Sequence, residues 1–253
     1  MPRTGSTTYV GVSTKMYLGY RDSLRWLEEV RAELDARPAL AAGRVVPFII
    51  PSFPVLPAAA EILSGSAAVL GAQNCSPAPG PWTGEISAAM LAELGVELVE
   101  LGHAERRRHF GEDDGVLAAK VDQSRSAGLT ALLCVGEERR GTPSEAAEYV
   151  VGQLEAALSG RWDGMERTLV AYEPVWAIGA DEPADAGYVT AVVRDTRRRL
   201  ERHGAGELPI IYGGSAKPGL LPRLNGVSGL FLGRFAHEAA NFGRVLDEAL
   251  ARQ

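Results

Sequence analysis

Eight short apolar runs recur along the chain, each followed by a longer stretch with helical period. No other feature limits the fold as much. The runs are Tyr9–Ser13, Val45–Pro51, Ala68–Gln73, Glu97–Leu101, Thr130–Cys134, Thr168–Tyr172, Leu208–Tyr212 and Gly229–Leu232. Most are continuously apolar rather than alternating, the pattern of strands buried on both faces. Between them apolar residues recur every three or four positions. Examples are Leu24, Leu27, Val30 and Leu34, then Tyr149, Val150, Leu154, Ala157 and Leu158, then Val189, Val192, Val193, Thr196 and Leu200. Such stripes mark helices with one face on a core. Strand–helix alternation implies a parallel sheet with right-handed crossovers. About eight such units in 253 residues is the arithmetic of an α/β fold closed into a (β/α)8 barrel, one domain over residues 1–253. The rival is an open doubly wound sheet; no G-x-G-x-x-G follows the first run, which weakens a dinucleotide site without excluding that fold.

Composition narrows the function classes. Lys and Arg total 26 against 32 Asp and Glu, a net charge of −6, so the clustered positive charge that nucleic acid demands is not expected. Hydrophobic residues make up 46% and charged residues 23%, a balance that argues against disorder. Met1 to Val10 shows neither a long apolar core nor a cleavage pattern, so no signal peptide is expected. The best uncharged apolar stretch, Val45 to Ala60, carries Pro47, Pro51, Pro54 and Pro57, which would break a membrane helix. Cys75 and Cys134 read as free thiols in a reducing cytosol. The expectation is a cytoplasmic protein with no nucleic-acid or membrane partner.

In a closed barrel the chemistry sits on the loops after the strands. That rule selects Lys15 after the first run, Gln73 and Asn74 after the third, His103 and Glu105 after the fourth and Glu137 after the fifth. It adds Glu173 after the sixth, Gly213, Gly214 and Ser215 after the seventh, and Gly233 and Arg234 after the eighth. A Lys, a His and a Glu then converge on one mouth beside two glycine-bearing turns, a set suited to proton transfer on a small anionic substrate. Each alone has a plainer reading: a solvated lysine, a hydrogen-bonded structural histidine, a glutamate opening a loop before Pro174. Their joint placement favours function. No pair of His or Cys has ligand spacing, so no metal is expected. The Glu105–His109 run and the Arg197–Arg199 cluster read as helix faces in water, with salt bridges as the lesser alternative.

At these residues the sequence resembles the triosephosphate isomerase family over the whole chain. The stretches are Ser13-Thr14-Lys15-Met16, Ala72-Gln73-Asn74, Thr83-Gly84-Glu85, Leu101-Gly102-His103-Ala104-Glu105-Arg106-Arg107, Cys134-Val135-Gly136-Glu137, Ala171-Tyr172-Glu173-Pro174-Val175-Trp176-Ala177-Ile178-Gly179 and Tyr212-Gly213-Gly214-Ser215. This family is itself a standard instance of acid–base tuning and lid closure, so the roles come with the resemblance. It implies Glu173 as the base that takes a proton beside the substrate carbonyl. It implies His103 as a neutral imidazole holding the oxyanion, Lys15 as positive charge beside the substrate, and Glu105 as the partner of Lys15. The phosphate would sit near Gly179, Ser215 and Gly233. Pro174 to Ala184 would be the lid, hinged near Val175 and Trp176. Cys134 occupies a family position but is given no chemistry. The loop from Asn74 to Ile86, with Pro77, Pro79, Gly80, Pro81 and Trp82, resembles the family's dimer arm, which would bring Thr83 to a partner's site and make a homodimer. The implied substrate is a small phosphorylated sugar, with no cofactor.

Four positions depart from the family pattern. Ser13 stands where Asn is usual, and Ala104 where Ser is usual. Asp181-Glu182-Pro183-Ala184 replaces a Gly-Lys-Thr-Ala lid segment, its acids expected to face water when the lid closes. Arg234 replaces the second glycine after the last strand. These departures resemble the branch that isomerises four-carbon erythrulose phosphates by the same proton shuttle. The substrate is therefore an erythrulose phosphate or the triose phosphates of ordinary glycolysis. A binding protein on a degenerate barrel is disfavoured by the intact Lys15, His103 and Glu173. For Arg234 the resemblance suggests a grip on phosphate or a longer sugar; the plainer reading is a surface pair with Glu238.

Overall fold

A computed structural model of the chain describes residues 7–253. The remaining six, on which the leader reading partly rests, lie outside the described residues. Eight strands form a closed barrel with every neighbouring pair parallel: β1 (Thr8–Ser13), β2 (Val45–Ile50), β3 (Val69–Ala72), β4 (Leu98–Leu101), β5 (Thr130–Val135), β6 (Thr168–Tyr172), β7 (Ile210–Tyr212) and β8 (Gly229–Leu232). Closure is made where Tyr9–Val12 of β1 pair with Gly229–Leu232 of β8. The rival open sheet is thereby excluded.

The helices are α1 (Tyr20–Asp35), α2 (Leu56–Ile62), α3 (Ala88–Glu93), α4 (Ala104–Phe110), α5 (Asp114–Ser126), α6 (Pro143–Ala157), α7 (Ala186–Leu200) and α8 (Ala239–Ala251). Two follow β4, and among the described residues none follows β7. There the connection is a 3-10 turn, Leu221–Arg223. Pro218 and Pro222 in that segment remove backbone donors and clash with helical carbonyls, so an α-helix cannot form across them. The expected stripes are the buried ones: Leu27, Val30 and Leu34 on α1, Val150, Leu154 and Ala157 on α6, and Val189, Val192, Val193 and Leu200 on α7. Tyr149 departs, lying exposed at the edge of its stripe.

Two cores result. Alternate strand residues face outward beneath the helices, and the others fill the barrel. The interior set includes Tyr9, Phe48, Leu98, Leu132, Leu169, Ile211 and Phe231. Phe48 and Phe231 stack at 5.7 Å. Gly11 is what admits the Phe48 ring, since a Cβ there would fall 1.8 Å from it. Following the same inward parity toward the C-terminal ends of the strands reaches Ser13, Glu100, Cys134, Glu173 and Gly213. Close packing below thus gives way to polar groups above. Among the described residues, no helix is long and apolar enough to cross a membrane.

Candidate active site

Each strand end positions one group. Lys15 follows β1 with φ 49°, a left-handed conformation that non-glycine residues adopt at a cost. Its carbonyl is held there by Ser52 Oγ at 2.6 Å and Gln73 Nε2 at 2.8 Å, with Thr14 Oγ1 more distant at 3.4 Å. Gln73 is therefore a brace for the lysine backbone. The Lys15 ammonium donates to Glu105 Oε1. Burial opposes its charge, but the Glu105 hydrogen bond and charge, with Glu173 and Glu100 adding, hold the Lys15 pKa above the ordinary lysine value. Burial likewise pushes Glu105 up, and the Lys15 contact outweighs it, leaving the carboxyl below its usual value.

His103 is buried at the N-cap of α4. Its Nδ1 accepts a hydrogen bond from the Glu105 backbone N–H at 3.1 Å. That bond assigns the neutral tautomer, with the proton on Nε2. Nε2 lies 3.6 Å from Glu173 Oε2. Glu173 directly follows β6, its N–H donating to the Val135 carbonyl at 2.7 Å. Its Oε2 is buried without a hydrogen-bond partner. Two glycines give this carboxylate its place. A Cβ at Gly213 would lie 2.3 Å from Glu173 Oε1, and one at Gly136 would lie 2.0 Å from the Glu173 carbonyl oxygen.

Glu137 does not face the reacting space. It accepts from Trp176 Nε1 at 2.8 Å, Tyr188 hydroxyl at 3.0 Å and Tyr172 hydroxyl at 3.2 Å, and so anchors the first hinge of the 174–184 segment. Further along, Ser215 Oγ donates toward the carbonyls of Ala177 at 3.1 Å and Ala180 at 2.6 Å. The Ala184 N–H donates to the Tyr212 hydroxyl at 3.0 Å, which donates to the Gly214 carbonyl at 2.9 Å. Asp185 then caps α7 through the Tyr188 N–H. The segment is thus tied down at both ends over the barrel mouth.

Beneath it lies a cleft of about 630 Å³ lined by Ser13, Lys15, His103, Glu105, Glu173, Gly179, Gly214, Ser215, Gly233 and Arg234. Of the other strand-end residues, Gln73, Glu137 and Gly213 stand outside its lining, and so does Asn74, which accepts from the buried Lys120 at 2.8 Å. Gly233 precedes the 3-10 turn Arg234–His237. Cys134 lies close by, but burial, reinforced by Glu173 and Glu100, pushes its thiol well above the usual range, so it stays protonated. Cys75 is likewise buried, its pKa pushed up to about 12. Among the described residues, no cluster of His, Cys, Asp and Glu could hold a metal ion. A carboxylate and an imidazole Nε2–H facing each other across such a cleft can move a proton from carbon while holding the adjacent oxyanion.

The comparisons agree with this geometry. The sequence model described as triosephosphate isomerase matches residues 8–249. The chain belongs to the triosephosphate isomerase family. It is an isomerase of that type. Relatives include a protein named L-erythrulose-1-phosphate isomerase from Pectobacterium atrosepticum, 43% identical over 95% of each chain. One of the same name from Mycolicibacterium smegmatis is 37% identical over 96% of this chain and 93% of its own. A triosephosphate isomerase from Synechococcus sp. is 36% identical over 94% and 95%. Among solved structures, the triosephosphate isomerase of Bartonella henselae aligns with TM-score 0.80 and 31% identity over 97% of this chain and 99% of its own.

Several readings need correction against the structure. The basic runs are not simply solvated faces. Arg106 pairs with the buried Glu112, which also binds Lys120, and Arg107 pairs with Asp114 at 2.8 Å. Arg197 donates to the carbonyls of Gly206, Leu208 and Gly226. Guanidinium groups reach carbonyls several residues away, which helical spacing does not reveal. The lid acids Asp181 and Glu182 are both exposed, as expected of groups facing water; Glu182 also meets Lys217 at 2.7 Å, and Asp181 stands at the edge of the cleft. Arg234 lies 5.8 Å from the Tyr17 ring, while Glu238 accepts from Asn241 instead. The reading also missed Glu100, an inward position on β4 that the parity of Leu98 would have disclosed.

Proposed function

We propose that the protein isomerises a four-carbon erythrulose phosphate by proton transfer through a cis-enediolate. The observation that carries the chemistry is the 3.6 Å approach of His103 Nε2 to Glu173 Oε2 on the floor of one cleft. Glu173 removes the proton from the hydroxyl-bearing carbon beside the carbonyl and returns it to the former carbonyl carbon. Its orphaned Oε2 is available for that proton. His103 donates from Nε2 to the oxyanion as it forms, and Lys15, held by Glu105, adds fixed positive charge. Gly179, Ser215, Gly233 and Arg234 receive the phosphate at the mouth. Closure of the lid excludes water from the enediolate.

The four-carbon substrate is supported by the names of the Pectobacterium and Mycolicibacterium relatives and by Ser13 and Arg234 in the cleft. The second reading, an ordinary triosephosphate isomerase, is supported by the Synechococcus relative. We further propose a cytoplasmic homodimer through the Asn74–Ile86 loop. Its base is closed by Ser76 N–H to Ile86 carbonyl at 2.8 Å, while Trp82 at its tip is 47% exposed, an unburied aromatic anchor. Comparing kcat/KM for L-erythrulose 1-phosphate and for the triose phosphates tests the substrate. The expected preference exceeds tenfold, which needs about 1.4 kcal/mol of differential transition-state binding. Turnover of glyceraldehyde phosphate near the diffusional ceiling would replace this reading with the second one.

A further inference from the structure

One ionisable group beneath the site has no part in the proton shuttle. Glu100 stands on β4 in register with Leu132 of β5 and shares the inward parity of Leu98. It is only 4% exposed. Its carboxyl lies against the Ser13 hydroxyl, with His103, Glu173 and Lys15 around it. Yet neither Glu100 Oε2 nor Ser13 Oγ completes a hydrogen bond of good geometry. Buried polar atoms without partners are rare, and at the floor of a cleft they mark a place where a ligand group completes the set. Ser13 lines that cleft; Glu100 stands behind it.

We infer that Ser13, aligned by Glu100, forms the subsite for the terminal hydroxymethyl group of a four-carbon substrate. The inference rests on the erythrulose-phosphate reading and says which residues enforce it. With the phosphate at the mouth beside Gly179, Ser215 and Gly233, and the reacting carbons between His103 and Glu173, the chain end distal to phosphate points toward the floor. A triose phosphate ends at the reacting carbon. L-Erythrulose 1-phosphate carries one more carbon there, with a hydroxyl that must find a partner in a closed site.

Ser13 offers one O–H donor and two acceptor lone pairs. Donating its proton to Glu100, it leaves its lone pairs to accept from the substrate hydroxyl. Burial raises the Glu100 pKa, while His103 and Lys15 pull it down. In either protonation state the carboxyl keeps an acceptor oxygen, so the direction of the relay is preserved. Glu100 is thus a positioning residue acting through Ser13. A site built to satisfy a substrate hydroxyl discriminates against the analogue lacking it, because its own buried groups are then left unpaired.

The test compares wild type, Glu100→Leu, Glu100→Gln and Ser13→Ala. The readout is the ratio of kcat/KM for L-erythrulose 1-phosphate to that for dihydroxyacetone phosphate. A second readout is the ratio of affinities for erythritol phosphate and glycerol phosphate, measured by calorimetry. Glu100→Leu and Ser13→Ala should each lower both ratios tenfold or more. Glu100→Gln, which keeps a carbonyl acceptor, should retain most of the preference. Merely structural damage would lower both substrates together and leave the ratios unmoved, which would overturn the inference. If Glu100→Leu does not fold, Ser13→Ala and Glu100→Gln decide in the same way. A wild type that itself prefers triose phosphates removes the substrate reading and this inference with it. A wild type that prefers the tetrulose, with ratios unmoved by Ser13→Ala and Glu100→Leu, removes this inference alone.

Discussion

The lower and upper tiers of the barrel interior are built on the same inward-facing register, but they treat their atoms differently. In the lower tier Phe48, Leu98, Leu132, Leu169 and Ile211 are sealed against one another, all at 0% exposure. In the upper tier Ser13, Glu100 and Glu173 are almost as deeply buried, yet each carries a polar atom without a hydrogen bond. Burial below contributes stability through lost apolar surface and close packing. Burial above costs stability, because unsatisfied polar groups give up water for nothing in return until a ligand arrives. A further contrast separates two glutamates at neighbouring strand ends. Glu137 accepts from three side chains and is structural; Glu173 keeps Oε2 unengaged and faces the cleft. Between these two glutamates, unspent hydrogen-bonding capacity, more than burial or charge, marks the one that faces the cleft.

Substitutions in the two tiers should therefore fail in different ways. Glu173→Gln removes the base and should lower kcat by about 10⁴-fold, the upper range for a general base. Glu173→Asp, which draws the carboxylate back by about 1 Å, should cost about 10²-fold. Both should leave the melting temperature near that of wild type, and steady-state kinetics beside calorimetry would check it. Leu169→Ala is the converse. It opens a cavity in the lower tier and should cost about 3 kcal/mol of stability, with kcat per folded molecule retained. Gly213→Ala sits on the boundary, since its methyl group would collide with Glu173 Oε1. It should lower kcat by tens of fold, about 2 kcal/mol of barrier at 1.4 kcal/mol per factor of ten, while the protein stays folded. A Gly213→Ala enzyme with full activity would show that the carboxylate does not need that space.

The smallest effect is electrostatic. Glu105 has a folded pKa below its ordinary 4.5, so its contribution is present above 4.5 and is lost as pH falls through the lower folded value. Lys15 has a folded pKa above its ordinary 10.5, so its contribution is present below 10.5 and is lost as pH rises through the higher folded value. The pair is partly exposed, so its worth should be at most about 1 kcal/mol. Unfolding of wild type and Lys15→Met, compared across pH, should show a difference that is flat between these limits and shrinks outside them.

Much of this was legible in the sequence because strand ends fall at fixed places on a closed parallel barrel. Once eight apolar runs were counted, the residues after them had to lie at one mouth, and Lys15, His103, Glu105, Glu173, Ser215, Gly233 and Arg234 do line one cleft, whereas Gln73, Asn74, Glu137 and Gly213 stand outside its lining. What could not be read was set by long-range partners. The Arg197 carbonyl contacts and the Glu182–Lys217 pair join residues distant in sequence. So does the Arg234 guanidinium over Tyr17. No local period encodes such pairings. The missing helix after β7 was visible in Pro218 and Pro222 but was averaged away by counting strand–helix units. Glu100 was hidden by its own surroundings, one of two charges, with Glu97, in a short run read as a whole as one strand.

The central claim is that Glu173 shuttles a carbon-bound proton at this site, and solvent exchange tests it most directly. Wild type and Glu173→Gln would be incubated with L-erythrulose 1-phosphate in heavy water, and the recovered sugar phosphates examined by proton NMR. Wild type should wash deuterium into the carbon beside the carbonyl as isomerisation proceeds, and Glu173→Gln, folded as wild type is, should do so at least about a thousandfold more slowly, within the range a general base supplies. Exchange in Glu173→Gln at the wild-type rate would contradict the account.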